Sequence, residues 1–203
     1  MPILVFFVIF AVWLMYEIKK SNRKSEQKFN EFLEEERRAD AVRKQNIDDL
    51  AYLAIPYDTL PFDETTVPPI TGYQNAILAL KEKRILNLTG YTNTELKLQY
   101  GAANLELLSE YDTNFTTLAR NLARWGDALY EQKQLTEAIQ VLEYGIQIQT
   151  DVSSNYITLA RIYLMEERID DIYALMEQAG SLKTLMKDSI IKQLQQLLSE
   201  TDA

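Results

Sequence analysis

Apolar positions change their spacing along the chain, and each change predicts a different element. Residues 1 to 16, MPILVFFVIFAVWLMY, run apolar with no charged side chain. From Ser21 to Asn46 apolar residues are sparse among Glu, Lys, Arg and Gln, which predicts a solvated stalk helix continuing from the first segment. Phe29, Phe32 and Leu33 share one face of it. That stripe leaves a dimerising or partner-facing role open, although heptads are not sustained long enough for a coiled coil. Between Ile47 and Gly72 the periodicity is lost. Pro56, Pro61, Pro68 and Pro69 each block a helix and bias the preceding residue to extended geometry. Yet Leu50, Tyr52, Leu53, Ile55, Tyr57, Leu60 and Phe62 are too apolar to remain in water. They predict an extended strap, docked either on the chain's own helical body or on a partner. After Gly72 a 3.6-residue rhythm returns and persists.

The first segment is expected to be an uncleaved single-pass membrane anchor over residues 1–18. Sixteen helical residues reach about 24 Å, against a hydrocarbon core of about 30 Å, so Glu17 and Lys19 must snorkel. A secretory signal peptide would place basic residues before the run and small residues after it, and this chain has neither. A buried soluble helix would need surroundings more apolar than the rest of the chain offers. Trp13 and Tyr16 fall near the far interface, and Lys19, Lys20, Arg23, Lys24 and Lys28 follow the span. The positive-inside rule then predicts a cytoplasmic C-terminal body. The same cations suit anionic head groups better than a nucleic-acid role.

Within 73–203 the pattern predicts a helical body. Tyr73–Leu88 and Glu95–Glu110 are expected as an irregular first pair, with Thr92 or Thr94 capping the second and Gly101 inside it at a close helix approach. Helices follow over Asp112–Tyr130, Thr136–Gln149, Ser153–Glu166 capped by Ser153, and Ile169–Gln178 stopped by Gly180. A last amphipathic helix, Leu182–Glu200, carries Leu185, Ile190, Leu194, Leu197 and Leu198 on one side. The expected organisation is anchor 1–18, stalk 19–46, strap 47–72 and helical body 73–203.

The body repeats itself. Leu122, Trp125, Gly126, Leu129, Ala138, Leu142 and Gly145 recur 34 positions later as Tyr156, Leu159, Ala160, Tyr163, Ile172, Met176 and Ala179. On these residues, the segment of about 119–179 resembles the tetratricopeptide repeat family. It departs from the family at Ile172, where alanine is favoured, and in lacking a proline at the end of either unit. The resemblance implies an all-α superhelix of stacked antiparallel hairpins, with a polypeptide-binding groove built from the first helix of each unit. Mapped on this chain, the groove residues are Arg120, Arg124, Asp127, Tyr130, Ile157, Arg161, Leu164 and Arg168, accompanied by Ala123, Glu131, Ser154 and Thr158. Ala123, Asp127, Ser154 and Thr158 occupy the places where the chaperone-binding branch holds a terminal carboxylate, so that clamp is absent. The four arginines suit an acidic or mixed ligand. The alternative is that they pair with Asp127 and Glu131.

Composition narrows the chemistry. The chain of 203 residues has no histidine and no cysteine, which excludes His or thiolate metal sites, His-based triads, disulfides and redox thiols. The formal net charge is −9, and residues 29–203 carry −12 of opposing charge, so nucleic acid is not an expected partner. Asp48-Asp49 and Asp170-Asp171 are adjacent pairs that do not converge. No phosphate-cradling glycine loop occurs. The chain is therefore expected not to be an enzyme and to need no cofactor, metal or small-molecule substrate. The function expected is a membrane-tethered scaffold or adaptor that binds a protein or peptide in the groove. The alternative is a structural accessory subunit of a membrane complex, held by the anchor and stalk. A body outside the cytoplasm is a third arrangement.

Overall fold

No glycine, and no proline after Pro2, interrupts residues 2–40, and one helix of 39 residues runs through them, α1 (Pro2–Asp40). A computed structural model describes residues 2–63 and 67–201, with side chains described for 6–63 and 67–200. Among these residues the chain is all-α and has no strand. Seven helices follow α1: α2 (Ile70–Leu78), α3 (Asn93–Tyr100), α4 (Leu105–Glu131), α5 (Leu135–Gln147), α6 (Ser153–Met165), α7 (Ile169–Ser181) and α8 (Lys187–Thr201). The chain divides into two compact units, Met1–Ile47 with Thr92–Leu105, and Asp48–Tyr91 with Glu106–Ala203.

In the first unit, the segments expected as anchor and stalk are one continuous helix that ends at Asp40 rather than Asn46, and among the described residues it is not long and apolar enough to be the spanning anchor expected of residues 1–18. Tertiary pairing overrides the helical bias of residues 41–46: Gln45 N–H donates to the Tyr100 carbonyl at 3.0 Å, and the Asn104 amide donates to the Gln45 carbonyl at 2.8 Å. The α3 helix packs on α1. Lys97 Nζ lies 2.9 Å from Glu36 and 2.8 Å from Asp40, and Thr94 Oγ also donates to Glu36. Those contacts, led by the Lys97 hydrogen bond, hold the Glu36 carboxyl below its ordinary pKa. Thr92 caps α3 reciprocally: its hydroxyl accepts from Glu95 N–H at 3.2 Å, and the Glu95 carboxylate accepts from Thr92 N–H at 2.7 Å. The helix predicted over Glu95–Glu110 is broken at Gly101, which has φ +86° and so ends α3 instead of lying mid-helix. A Cβ there would stand 2.5 Å from the Arg43 carbonyl oxygen. The close approach is thus made by extended backbone, not by a second helix, and a 3₁₀ turn, Ala102–Asn104, precedes α4.

In the second unit, α2 covers only the start of Tyr73–Leu88. Residues 79–91 are irregular because their backbone is held from outside: Ile85 O accepts from Leu53 N–H at 2.9 Å, Leu86 N–H donates to Tyr111 O at 3.3 Å, and the Asn114 amide donates to Arg84 O at 3.0 Å. The strap docks on its own body. Leu60 is buried, and Leu53, Ile55, Tyr57 and Phe62 pack against the core. The Phe62 and Trp125 rings lie 4.9 Å apart, and the Tyr144 hydroxyl donates to Ala54 O at 3.2 Å.

The 34-residue period survives in the backbone. Helix ends Glu131, Leu135 and Gln147 have counterparts at Met165, Ile169 and Ser181. The α4–α5 turn is closed by Gln132 N–H to Ala128 O, Lys133 N–H to Tyr130 O and Gln134 N–H to Leu129 O. The α6–α7 turn repeats all three bonds with Glu166, Glu167 and Arg168 donating to Ile162, Leu164 and Tyr163. Lys133 and Glu167 both turn through positive φ, 61° and 58°. Other boundaries shift. Val152, with no side-chain cap bond, precedes α6 where Ser153 was the expected cap. Gly180 lies inside α7, with nothing within 4 Å of an added Cβ, and does not stop it. The last helix starts at Lys187, so Leu185 is fully exposed instead of facing inward.

Candidate functional site

The predicted groove residues separate into two places. Helices α4 and α6 present Asp127, Glu131, Ser154, Ile157, Thr158 and Arg161 around one depression of about 400 Å³, to which α8 adds Gln193. The Thr158 hydroxyl donates to Asp127 Oδ1 at 2.5 Å and bridges the two helices. Arg120 and Arg124 stand on the Asp127 face of α4, at helical offsets of seven and three from it, and both are exposed. Among the described residues neither these arginines nor Arg161 forms an ion pair. The expected alternative, pairing with Asp127 and Glu131, is therefore not made. Tyr130 and Leu164 are half-buried and pack against the core.

Arg168 lies elsewhere. At the α6–α7 turn its Nε donates to Asp171 at 2.6 Å and its Nη1 to Glu166 at 3.1 Å. The guanidinium sits 4.1 Å from the centroid of the Tyr163 ring, with Glu143 at 3.9 Å. The Asp171 hydrogen bond is the first cause of its raised pKa. Its charge is engaged in tying the turn to α5 and is not presented to a ligand. Beside it the Tyr163 hydroxyl donates to Glu143 at 2.7 Å, and burial is the main force raising that phenol's pKa.

On α1 the side chains from Phe6 to Ile18 are mostly exposed apolar groups, with Phe6 at 73% and Trp13 at 55% of their full exposure. Lys20 pairs with Glu17 at 3.6 Å and lies 6.0 Å over the Tyr16 ring. Lys19, Arg23 and Lys24 are exposed along the same helix. Among the described residues no helix is long and apolar enough to cross a membrane. The side chains of residues 1–5, which begin the apolar run, lie outside the description. Among the described residues no group of three or more carboxylates is placed to hold a metal ion.

Sequence reasoning missed Gln193. The 34-residue register does not point to it: α8 starts 34 residues after α6, so Ile190, Leu194 and Leu197 stand where Tyr156, Ala160 and Tyr163 stand one unit earlier, and Gln193 falls at the place of the fully buried Leu159. A third helix of the groove-forming kind follows from that register. Also missed was Asn155, fully buried, whose amide donates to the Leu142 carbonyl at 2.8 Å between α5 and α6. Comparison with protein-family models, with curated proteins and with solved structures finds no match.

Proposed function

We propose that this chain is a membrane-tethered adaptor whose repeat-like hairpins bind an acidic or mixed-charge polypeptide along α4 and α6. One observation carries the reading: on an acidic chain, Arg161 lines a depression walled by α4, α6 and α8, Arg120 and Arg124 lie exposed along the same α4 face as its Asp127, and among the described residues none of the three forms an ion pair. Unpaired guanidinium groups are strong bidentate donors to carboxylates, and the local excess of positive charge would steer an anionic segment toward them. The 34-residue register and the likeness to tetratricopeptide repeats support a polypeptide as the ligand. Double substitution Arg124→Glu with Arg161→Glu should abolish co-purification of the partner while leaving the helical circular dichroism unchanged. Retention of every partner by that variant would remove the groove from the account.

The tether rests on the sequence of residues 1–18 and on the exposure of Phe6 to Ile18, which water would not tolerate over so long a run. The basic residues after it favour a cytoplasmic body, and protease protection of the C-terminus in intact cells tests that side. A second reading, an accessory subunit of a membrane complex, is favoured by Phe29 and Phe32, which remain exposed on the stalk at 60% and 51%. Replacing residues 1–18 with an unrelated span separates the two. The adaptor keeps its partner, and the subunit loses its complex.

A further inference from the structure

The cations that follow the apolar run of α1 are gathered on one side of the helix. Tyr16, Lys19, Lys20, Arg23, Lys24 and Gln27 surround one shallow hollow of about 430 Å³, because steps of three and four residues return to the same helical face. The four cations are exposed, as is Lys28 one turn further on. Lys20 pairs with Glu17. Among the described residues Lys19, Arg23, Lys24 and Lys28 form no ion pair. Glu26, the other carboxylate among residues 1–30, shares a second hollow with Lys19 and Arg23 but pairs with neither.

Height along the helix decides what these charges meet. α1 is unbroken from the apolar run to Asp40, so each residue advances about 1.5 Å. Measured from Ile18, the last apolar residue before the cations, Lys19 lies about 1.5 Å up and Lys24 about 9 Å. The head-group layer of a bilayer is about 5–8 Å thick on each side, and long basic side chains bend back into it. The next carboxylates, Glu31, Glu34, Glu35 and Glu36, start about 20 Å from Ile18. They stand more than one screening length, about 8 Å at physiological salt, beyond that layer. A bilayer surface at the end of the apolar run therefore meets the cations and not the acidic stalk. Residues 29–203 carry −12, so a soluble polyanion reaching this face would be opposed by the rest of the chain, whereas a lipid beside α1 would not.

We infer that this basic face of α1 is a docking surface for the head groups of anionic phospholipids in the bilayer that the apolar run enters. It rests on the tether reading and adds to it a choice of lipid. The full chain is reconstituted in phosphatidylcholine bilayers holding a fixed fraction of brominated phosphatidylglycerol or of brominated phosphatidylcholine. Quenching of Trp13 is read, with the Trp13→Phe chain supplying the Trp125 background. Brominated phosphatidylglycerol should associate at least about threefold more strongly at low salt, since basic residues at an anionic surface attract it. The preference should shrink at about 0.5 M salt. Lys19→Gln with Arg23→Gln and Lys24→Gln should bring the two lipids to parity. Arg37→Gln with Arg38→Gln and Lys44→Gln removes the same charge further along the chain and should leave the preference intact. Equal quenching by both lipids in the wild-type chain, a preference that survives the first triple variant, or the same loss in both triple variants overturns the docking surface and leaves the tether standing. No quenching by either lipid overturns the tether, and the docking surface with it.

Discussion

The two helix hairpins share a backbone and differ in what fills it. In the α4–α5 hairpin a fully buried Trp125 and Leu142 require Gly126: a Cβ there would stand 2.3 Å from Leu142 Cδ2. In the α6–α7 hairpin the same three places hold Leu159, Met176 and Ala160, a smaller residue, a flexible one and a Cβ the space accepts. Outside, the strap packs on the first hairpin and α8 on the second. Spacing of turns and small residues fixes the helical path, and side-chain volumes are then balanced separately within each copy.

Truncating the floor residue should separate the copies most. Trp125→Ala should destabilise the chain by about 3–5 kcal/mol, and Leu159→Ala by about 2–5 kcal/mol, as large-to-small core changes do. Their reach should differ more than their size. Loss of Trp125 removes the ring on which Phe62 rests, so hydrogen exchange at Leu53 and Leu60 should rise, whereas Leu159→Ala should leave those amides protected. If strap amides stay protected without Trp125, the strap is held by something other than this hairpin.

Small residues give the next largest effect. Gly126→Ala should cost about 1–3 kcal/mol by overpacking a core that cannot expand. Gly145→Ala should cost a similar amount. All three nearest atoms to its built Cβ belong to the Asn155 amide, the closest at 2.4 Å, and that amide holds the Leu142 carbonyl. The reciprocal changes Ala160→Gly and Ala179→Gly should each cost only about 1 kcal/mol, the ordinary helix penalty for glycine. Denaturant midpoints measure all four. Equal penalties for Gly126→Ala and Ala160→Gly would mean that the first hairpin is no tighter than the second.

How much of this was legible follows from which forces act locally. The repeat was readable because Gly126, Ala138, Ala160 and Ala179 must be small wherever helices touch. The docked strap was readable as a tendency, because Leu53, Leu60 and Phe62 had to be covered, but nothing in the sequence named Trp125 as its floor. Gly101 was misread because a positive-φ cap and a mid-helix glycine look alike until the Arg43 backbone is in view. Residues 79–91 kept a helical spacing of Leu80, Ile85 and Leu86, yet their carbonyls and amides are taken by Leu53, Tyr111 and Asn114. Arg168 sat at a predicted groove position, and only the placement of Asp171, Glu143 and Tyr163 removes it.

A hydrogen-bonded phenol distinguishes the first hairpin from the second. Tyr144→Phe should cost about 0.5–1.5 kcal/mol, the usual net value of one hydrogen bond, while Gln178→Ala in the second hairpin should be nearly neutral. Burial raises the Tyr144 and Tyr156 phenols from 10.0 to about 12. Below pH 10 both folded and unfolded chains hold these protons, so the contribution is fully present. Between about pH 10 and 12 the unfolded chain loses them first, and stability must fall as pH rises. The fall should be shallower in Tyr144→Phe, and an unchanged slope in alkaline denaturation would mean that the phenol is not buried in solution.

The smallest effect tests the equivalence itself. Lys133 and Glu167 adopt positive φ at the same place in the two turns, with the same three backbone bonds around them. A non-glycine residue in that region pays about 1–2 kcal/mol of backbone strain, and glycine relieves it while adding disorder to the unfolded chain. The two terms oppose each other, so Lys133→Gly and Glu167→Gly should each shift stability by less than about 1 kcal/mol. They should also agree with each other within about 0.5 kcal/mol, the spread expected of independent sites in like surroundings. Agreement is demanded by the backbone alone, since neither turn side chain makes a salt bridge among the described residues. A difference well beyond that spread would show that the turns differ in strain despite matching bonds, and the 34-residue period would then describe the helices but not the joints between them.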